Sequence, residues 1–126
     1  MPKRIILADI NSNLRLSYRM MVSANLPGIS LETVANGKEL LDSIRDAKYD
    51  AIITDDYLGE LITGVEAIRK IREFDREVPL FVCSRNEAIE RECLEAGATK
   101  FINKKDIAEK GIVYFFNQLR IYLEKP

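Results

Sequence analysis

The chain has 126 residues, 47% hydrophobic and 31% charged, which suits one compact domain with a real core and argues against a disordered chain. Its formal net charge is −1 with acids and bases interspersed, so no basic face is available and no nucleic-acid partner is expected. The sequence contains no histidine, which excludes Ser-His-Asp triads, Cys-His pairs and histidine metal ligands; any metal must be bound by oxygen.

The apolar runs are short, reaching about five residues where a membrane span needs about 20. We therefore expect no membrane association, and the lack of a secretion signal predicts a cytoplasmic protein. Cys83 and Cys93 are expected to be reduced and structural. The whole chain, 1–126, is interpreted as a single domain, which is either a stand-alone regulator or a fragment of a longer protein.

Short apolar runs alternate with amphipathic stretches five times along the chain. Strands are predicted at 4–8, 30–34, 50–54, 79–83 and 100–103. Asn36, answered by Glu39 three residues later, is expected to cap the second helix. Further helices are predicted at 64–74, at 86–96 with Gly97 as its stop, and at roughly 106–123. Strands that are apolar at every position are buried on both faces, so the pattern predicts a five-stranded parallel sheet in an α/β three-layer sandwich.

Polar side chains follow four of the predicted strands. Asp9 follows the first, Asp55 and Asp56 the third, Ser84 the fourth, and Lys104 the fifth. In an open parallel sheet the carboxyl ends of the strands meet at one edge, where ligands bind. Carboxylates, a hydroxyl and an ammonium are thus expected to converge at that edge.

Four segments, in order and at suitable intervals, resemble the receiver domains of two-component signalling. They are residues 4–9, 49–55, 79–84 and 95–104, and the resemblance covers nearly the whole chain. It implies a (βα)5 flavodoxin-like fold. It also implies a phosphoacceptor that signals through protein–protein contacts and is not an enzyme in its own right.

By this resemblance, Asp55 accepts a phosphoryl group from a phosphohistidine on a sensor histidine kinase or phosphotransfer protein. Mg²⁺ would be bound by Asp9, Asp55 and the backbone carbonyl of Tyr57. Ser84 and Lys104 would bond the phosphoryl oxygens. Phe101 would then move into the space that Ser84 vacates, which changes the surface seen by partners.

Two departures from the family pattern affect the acidic cluster. Ile10 stands where, without a gap, the family has the acid that contacts Mg²⁺, so metal binding is expected to be weakened; a one-residue slide would instead make Asp9 that ligand. Arg85 follows the hydroxyl position, where the family has a small residue. It either places a guanidinium beside Asp55 and narrows access, or points into solvent.

Two further departures concern the loops around the site. Lys105 replaces a proline that is often cis, and a trans peptide is expected because a cis bond costs a non-proline residue about 3 kcal/mol. The loop from Asp55 to Gly64 is one residue longer than usual. Counting back from Gly64 would select Asp56 as acceptor, whereas counting forward along the apolar strand selects Asp55.

The last helix carries more apolar residues than one buried stripe needs. Helical spacing assigns one face to the core: Ala108, Ile112, Phe115, Phe116, Leu119 and Leu123. Tyr114 and Ile121 fall together on the opposite face. We interpret them as a contact site for a homodimer or a downstream effector, although isolated exposed apolar residues are also normal.

Other readings of the same pattern remain. A pseudo-receiver would use this fold for protein interaction without phosphorylation. A flavodoxin-like cofactor binder would need a glycine-containing phosphate loop after the first strand, and residues 10–13 contain none. An oxygen-metal hydrolase would need a second acid beside its nucleophile, and Asp56 is poorly spaced for that role.

Overall fold

A computed structural model describes residues 3–124 of the protein. The described residues form these elements in chain order: β1 (Lys3–Ala8), α1 (Ser12–Asn25), β2 (Ile29–Val34), α2 (Gly37–Asp46), β3 (Ala51–Asp55), α3 (Gly64–Phe74), β4 (Leu80–Ser84), α4 (Glu90–Ala96), β5 (Lys100–Asn103), α5 (Lys104–Lys110) and α6 (Ile112–Leu123). All strand pairs are parallel, in the order β2-β1-β3-β4-β5. The predicted α/β three-layer architecture is confirmed.

The sheet is covered on both faces. β3 and β4 are buried at every position, which explains their unbroken apolar sequences. Successive side chains point to opposite faces, so Ile53 and Phe81 pack with α1 and α6, while Ile52 and Leu80 pack with α2 and α3. Burying one such side chain contributes about 1.5–3 kcal/mol.

Polar caps fix where the helices begin. The Asn36 side chain accepts a hydrogen bond from the Glu39 amide, and the Glu39 carboxylate reaches back to the Ala35 amide, which confirms the predicted cap of α2. Thr63 caps α3 in the same way by accepting from the Glu66 amide. α3 begins and ends where the spacing predicts.

The predicted continuous helix at 106–123 is wrong. The structure has two helices, α5 and α6, separated at Gly111, whose φ of 93° and ψ of 166° are a conformation that side chains with a Cβ avoid. α5 also starts earlier, at Lys104, because the Asn103 side chain caps it. As a result Ala108 is exposed and not in the core; Ile112 is half-buried, and Phe115, Phe116, Leu119 and Leu123 are buried as expected.

The predicted helix at 86–96 is also shorter than expected. Asn86 caps a single 3-10 turn, Glu87–Ile89, and α4 itself begins at Glu90. Gly97 ends α4 with a φ of 123°, as its position predicts. Both cysteines are free and buried, in agreement with the structural role expected for them.

Within residues 3–124, no helix is long and apolar enough to span a bilayer.

Candidate functional site

The site lies where the chain reverses its direction of winding across the sheet. β1 is flanked by β2 on one side and β3 on the other, and Ala8 pairs with Thr54. Asp9 therefore leaves β1 next to Asp55, the last residue of β3. A crevice forms at such a point because the connections on either side pass over opposite faces of the sheet.

Lys104 brings the two acids together. Its ammonium donates a hydrogen bond of 2.6 Å to Oδ2 of Asp55, and it lies 3.7 Å from Oδ2 of Asp9. All three side chains are largely buried. Asp9 and Asp55 are 46 positions apart in the sequence, and Asp55 and Lys104 are 49 apart. The fold thus brings three distant residues into one compact charged cluster.

Burial controls the protonation of Asp55, whose exposed fraction is 9%. Desolvation of the charged carboxylate raises its pKa from 3.8 to about 7, helped by the neighbouring carboxyl groups of Asp56 and Asp9 and opposed by Lys104. For Lys104, burial lowers the pKa, but the hydrogen bond to Asp55 and the charges of Asp55 and Asp9 outweigh it, so the pKa lies above its ordinary value. The lysine therefore stays charged.

Backbone contacts orient the two acids. Oδ1 of Asp55 accepts a hydrogen bond of 2.8 Å from the Asp56 amide, and Oδ1 of Asp9 accepts one of 2.9 Å from the Asn11 amide. The Arg15 guanidinium donates to the backbone carbonyl of Asp9 at 2.7 Å. The carboxylates are consequently held facing Lys104.

Gly64 and Arg15 are two positioning residues that the sequence analysis did not identify. A Cβ on Gly64 would lie 2.6 Å from the Asp55 carbonyl oxygen, so only glycine lets α3 approach the end of β3. The Gly64 amide also donates to the Asp56 carbonyl at 2.9 Å. A glycine at the first position of a predicted helix was the available sequence signal for the Gly64 contact. No sequence signal indicated the role of Arg15.

Ser84 ends β4 and is buried, but its hydroxyl faces its own loop. The oxygen accepts a hydrogen bond of 2.9 Å from the Asn86 amide, and no bond joins it to Asp55 among the residues described. Phe101, in the neighbouring strand β5, is half-buried against the core under α4. The structure thus brings Asp9, Asp55 and Lys104 into direct contact and leaves Ser84 beside them.

The loop from β3 to α3 distinguishes Asp55 from Asp56. Asp55 is a strand residue whose carboxylate contacts Lys104, whereas Asp56 begins the loop and is half-buried. Gly59 in this loop has a φ of 101°, a conformation that favours glycine. The carboxylate that contacts Lys104 is thus that of Asp55, the residue selected by the count along the strand.

The remaining departures from the family pattern are at Ile10, Arg85 and Lys105. Ile10 is 44% exposed and adds no ligand to the cluster. Arg85 is exposed and makes no ion pair or hydrogen bond with any residue from 3 to 124, which favours the solvent-facing alternative. The described backbone contains no cis peptide, so the bond before Lys105 is trans as expected.

The residues fit a minimal cation site. No group of three or more His, Cys, Asp or Glu side chains suited to a metal occurs in the described part of the chain. Asp9 and Asp55 nevertheless converge on one cation, the Lys104 ammonium, and the Tyr57 carbonyl accepts no hydrogen bond from residues 3–124. Mg²⁺ needs only one or two carboxylates when waters and phosphate oxygens complete its octahedron.

Both the sequence and the fold are similar to those of known proteins. The sequence pattern of the response regulator receiver domain matches residues 5–113. The response regulator MprA of Mycolicibacterium vanbaalenii is 31% identical over 106 residues, which are 82% of this chain and 45% of that protein. The chain thus spans about half the length of such relatives.

Two solved structures share the fold. A receiver domain of a sensor histidine kinase from Pseudomonas aeruginosa, described with magnesium in its active-site cleft, is 25% identical with a TM-score of 0.81 and covers 99% of this chain and 100% of that one. A LuxR-family response regulator from Aurantimonas is also 25% identical, with a TM-score of 0.83, covering 98% and 86%. This chain belongs to the response-regulator receiver domain family, the phosphoacceptor modules of two-component signal transduction.

Proposed function

We propose that Asp55 is the phosphoacceptor of this receiver domain. The observation that carries the proposal is the contact of one ammonium, that of Lys104, with Asp55 at 2.6 Å and Asp9 at 3.7 Å. A buried carboxylate held next to a fixed cation is arranged to receive a negatively charged group, because the cation offsets the charge that arrives.

The transfer would proceed by attack of an Asp55 carboxylate oxygen on the phosphorus of a donor phosphohistidine. The new O–P bond forms as the N–P bond breaks, and the imidazole leaves with the bonding electron pair and takes up a proton. The Lys104 ammonium would then exchange its carboxylate contact for a phosphoryl oxygen. Ser84, next to the cluster, would turn its hydroxyl from the Asn86 amide toward another phosphoryl oxygen.

Mg²⁺ is the proposed cofactor, bound by Asp9, Asp55 and the Tyr57 carbonyl. Its binding is weakened because Ile10 supplies no carboxylate. When bound, it would offset the negative charge of the phosphoryl oxygens and carboxylates. The histidine kinase relative crystallised with magnesium in its cleft supports this assignment.

The partners we propose follow from this chemistry. The donor is a sensor histidine kinase or a phosphotransfer protein, and the chain acts as a relay component in the cytoplasm and not as an enzyme with its own substrate. The output is a downstream protein or a second copy of the chain, bound through α6, where Ile121 is 62% exposed. Tyr114 contributes less than the sequence indicated, because it is half-buried under the Lys110 ammonium, 4.8 Å from its ring centre.

The acceptor is tested by incubation with acetyl phosphate and Mg²⁺, followed by intact-mass measurement. The wild type and the matched control Asp56→Asn should each gain one phosphoryl group, and Asp55→Asn should gain none. A phosphoryl gain in Asp55→Asn that is lost in Asp56→Asn would transfer the role to Asp56.

A further inference from the structure

A cleft of about 290 Å³ lies between α1 and the segment formed by α5 and α6. Its walls are largely apolar, with Leu14 and Met21 on α1 opposite Ile107 and Ile112. α5 has no fully buried residue and packs on the core only through the partly buried Ile107, whereas α6, after the break at Gly111, is buried along one face. The cleft has the size and character of a small-molecule site.

Two polar groups in the cleft have no acceptor. Tyr18 lines the cleft and is 9% exposed, yet its hydroxyl makes no hydrogen bond with any residue from 3 to 124. Burial, with the charges of Cys83, Asp9 and Asp55, raises its pKa, so the hydroxyl remains a donor at neutral pH. Arg85 also lines the cleft, and its guanidinium is exposed without an ion pair in the described part of the chain.

The two donors and the apolar walls together define a ligand. A carboxylate would satisfy the Arg85 guanidinium and the Tyr18 hydroxyl at once, and an apolar body would cover the walls. Lys104 lines the same cleft, but its charge is already matched by Asp55 and Asp9. Because those acids lie beside the cleft, a second negative charge on the ligand would be repelled.

We propose that this cleft binds a small amphipathic monoanion, a carboxylate carried on an apolar body such as a medium-length acyl chain. The cleft adjoins the phosphoacceptor site and shares Lys104 with it, so the bound molecule would lie against the residue that holds Asp55.

The test is calorimetric titration of the purified chain with octanoate, using octan-1-ol as the neutral probe with the same chain length. Octanoate should bind saturably at one site, and octan-1-ol should bind about tenfold more weakly because it cannot pair with Arg85. Arg85→Gln should weaken octanoate by a similar factor. The matched control Arg91→Gln, which removes an exposed arginine from α4, should leave octanoate binding unchanged.

A second variant tests the location. Ala108 is exposed and lines the cleft, so Ala108→Trp should fill it and abolish octanoate binding without disturbing the core. Binding should persist in Asp55→Asn, which separates this proposal from the phosphoacceptor assignment. Equal affinity for octan-1-ol, binding that survives Ala108→Trp, or no saturable binding would each overturn the proposal. So would a cleft covered by a second copy of the chain, seen as a dimer that Ala108→Trp dissociates.

Discussion

The charged cluster holds two acids against one base in a largely buried crevice. Burial penalises the charged form of Asp55 and is the main cause that raises its pKa to about 7; the neighbouring Asp56 and Asp9 carboxyl groups add to the shift, and Lys104 opposes it. Removing Lys104 would leave uncompensated buried acids, which typically costs about 3–5 kcal/mol. Ionising both acids in this buried crevice is therefore costly, and an added cation would lower that cost.

The raised pKa of Asp55 predicts a pH-dependent stability difference between the wild type and Asp55→Asn. A folded-state pKa of about 7, above the ordinary 3.8, means that the contribution of Asp55 is most favourable below about pH 4 and is lost as pH rises to 7. Asp55→Asn should thus become more stable relative to the wild type by roughly 1–3 kcal/mol between pH 5 and pH 8. Urea unfolding at the two pH values measures this. A difference that stays constant or shrinks as pH rises would contradict it.

Ile10 predicts that the metal site can be strengthened by one substitution. Ile10→Asp adds a carboxylate beside Asp9, so Mg²⁺ affinity should rise about tenfold, equivalent to about 1.4 kcal/mol. Ser12→Asp, which adds the same charge to the exposed start of α1, is the control. Titration should show little gain for the control. Equal gains in both variants would mean that net charge alone is responsible, and no gain in Ile10→Asp would show that Asp9 and Asp55 suffice.

The break at Gly111 is the main departure from regular structure among the helices. It separates α5, which has no buried residue, from α6, which carries Phe115, Phe116 and Leu119 into the core. Phe115 and Phe116 stack edge to face at 5.0 Å, and Phe115 also contacts Tyr18 of α1. α6 thus contributes the buried apolar side chains of this region, while α5 begins with Lys104 and packs the partly buried Ile107 against the same core.

Gly111→Ala should destabilise the protein by about 1–3 kcal/mol, because a φ of 93° with a ψ of 166° is accessible to glycine almost alone. No atom lies within 4 Å of the position that a Cβ would take, so the cost is in the backbone and not in a clash. Gly28→Ala, where space is also open and φ is not positive, is the control and should change the free energy of unfolding by less than about 0.5 kcal/mol. Chemical denaturation compares the two. Similar values for both variants would show that Gly111 is not held in this conformation in solution.

The molecule as a whole exposes several large apolar side chains, including Leu61 at 86% in the loop between β3 and α3 and Ile121 at 62% on α6. A single exposed apolar residue carries little information, but α6 is amphipathic and its other face is fully used by the core. We therefore expect association through Ile121 and not through Leu61.

Ile121→Ser should keep the stability of the wild type within about 0.5 kcal/mol, because the side chain is exposed. It should reduce self-association measured by light scattering, or capture of the downstream partner, because it removes the apolar contact of α6. Leu61→Ser is the matched control and should leave both unchanged. If Ile121→Ser associates as the wild type does, α6 is not the contact surface.

Local patterns in the sequence determined the sheet, the alternation of strands and helices, the caps at Asn36 and Gly97, and the residues at the strand ends. These follow from periodicity and backbone preference, which act over a few residues. Only the tertiary structure decided that Lys104 contacts Asp55 and Asp9, that Ser84 faces its own loop, that Arg85 is exposed at the rim of the cleft beside α1, and that the last helix is two helices. Those outcomes depend on how distant segments pack and desolvate one another. The sequence around Gly111 does not reveal its φ, and the sequence around Lys104 does not reveal its partners, because both depend on how distant segments pack.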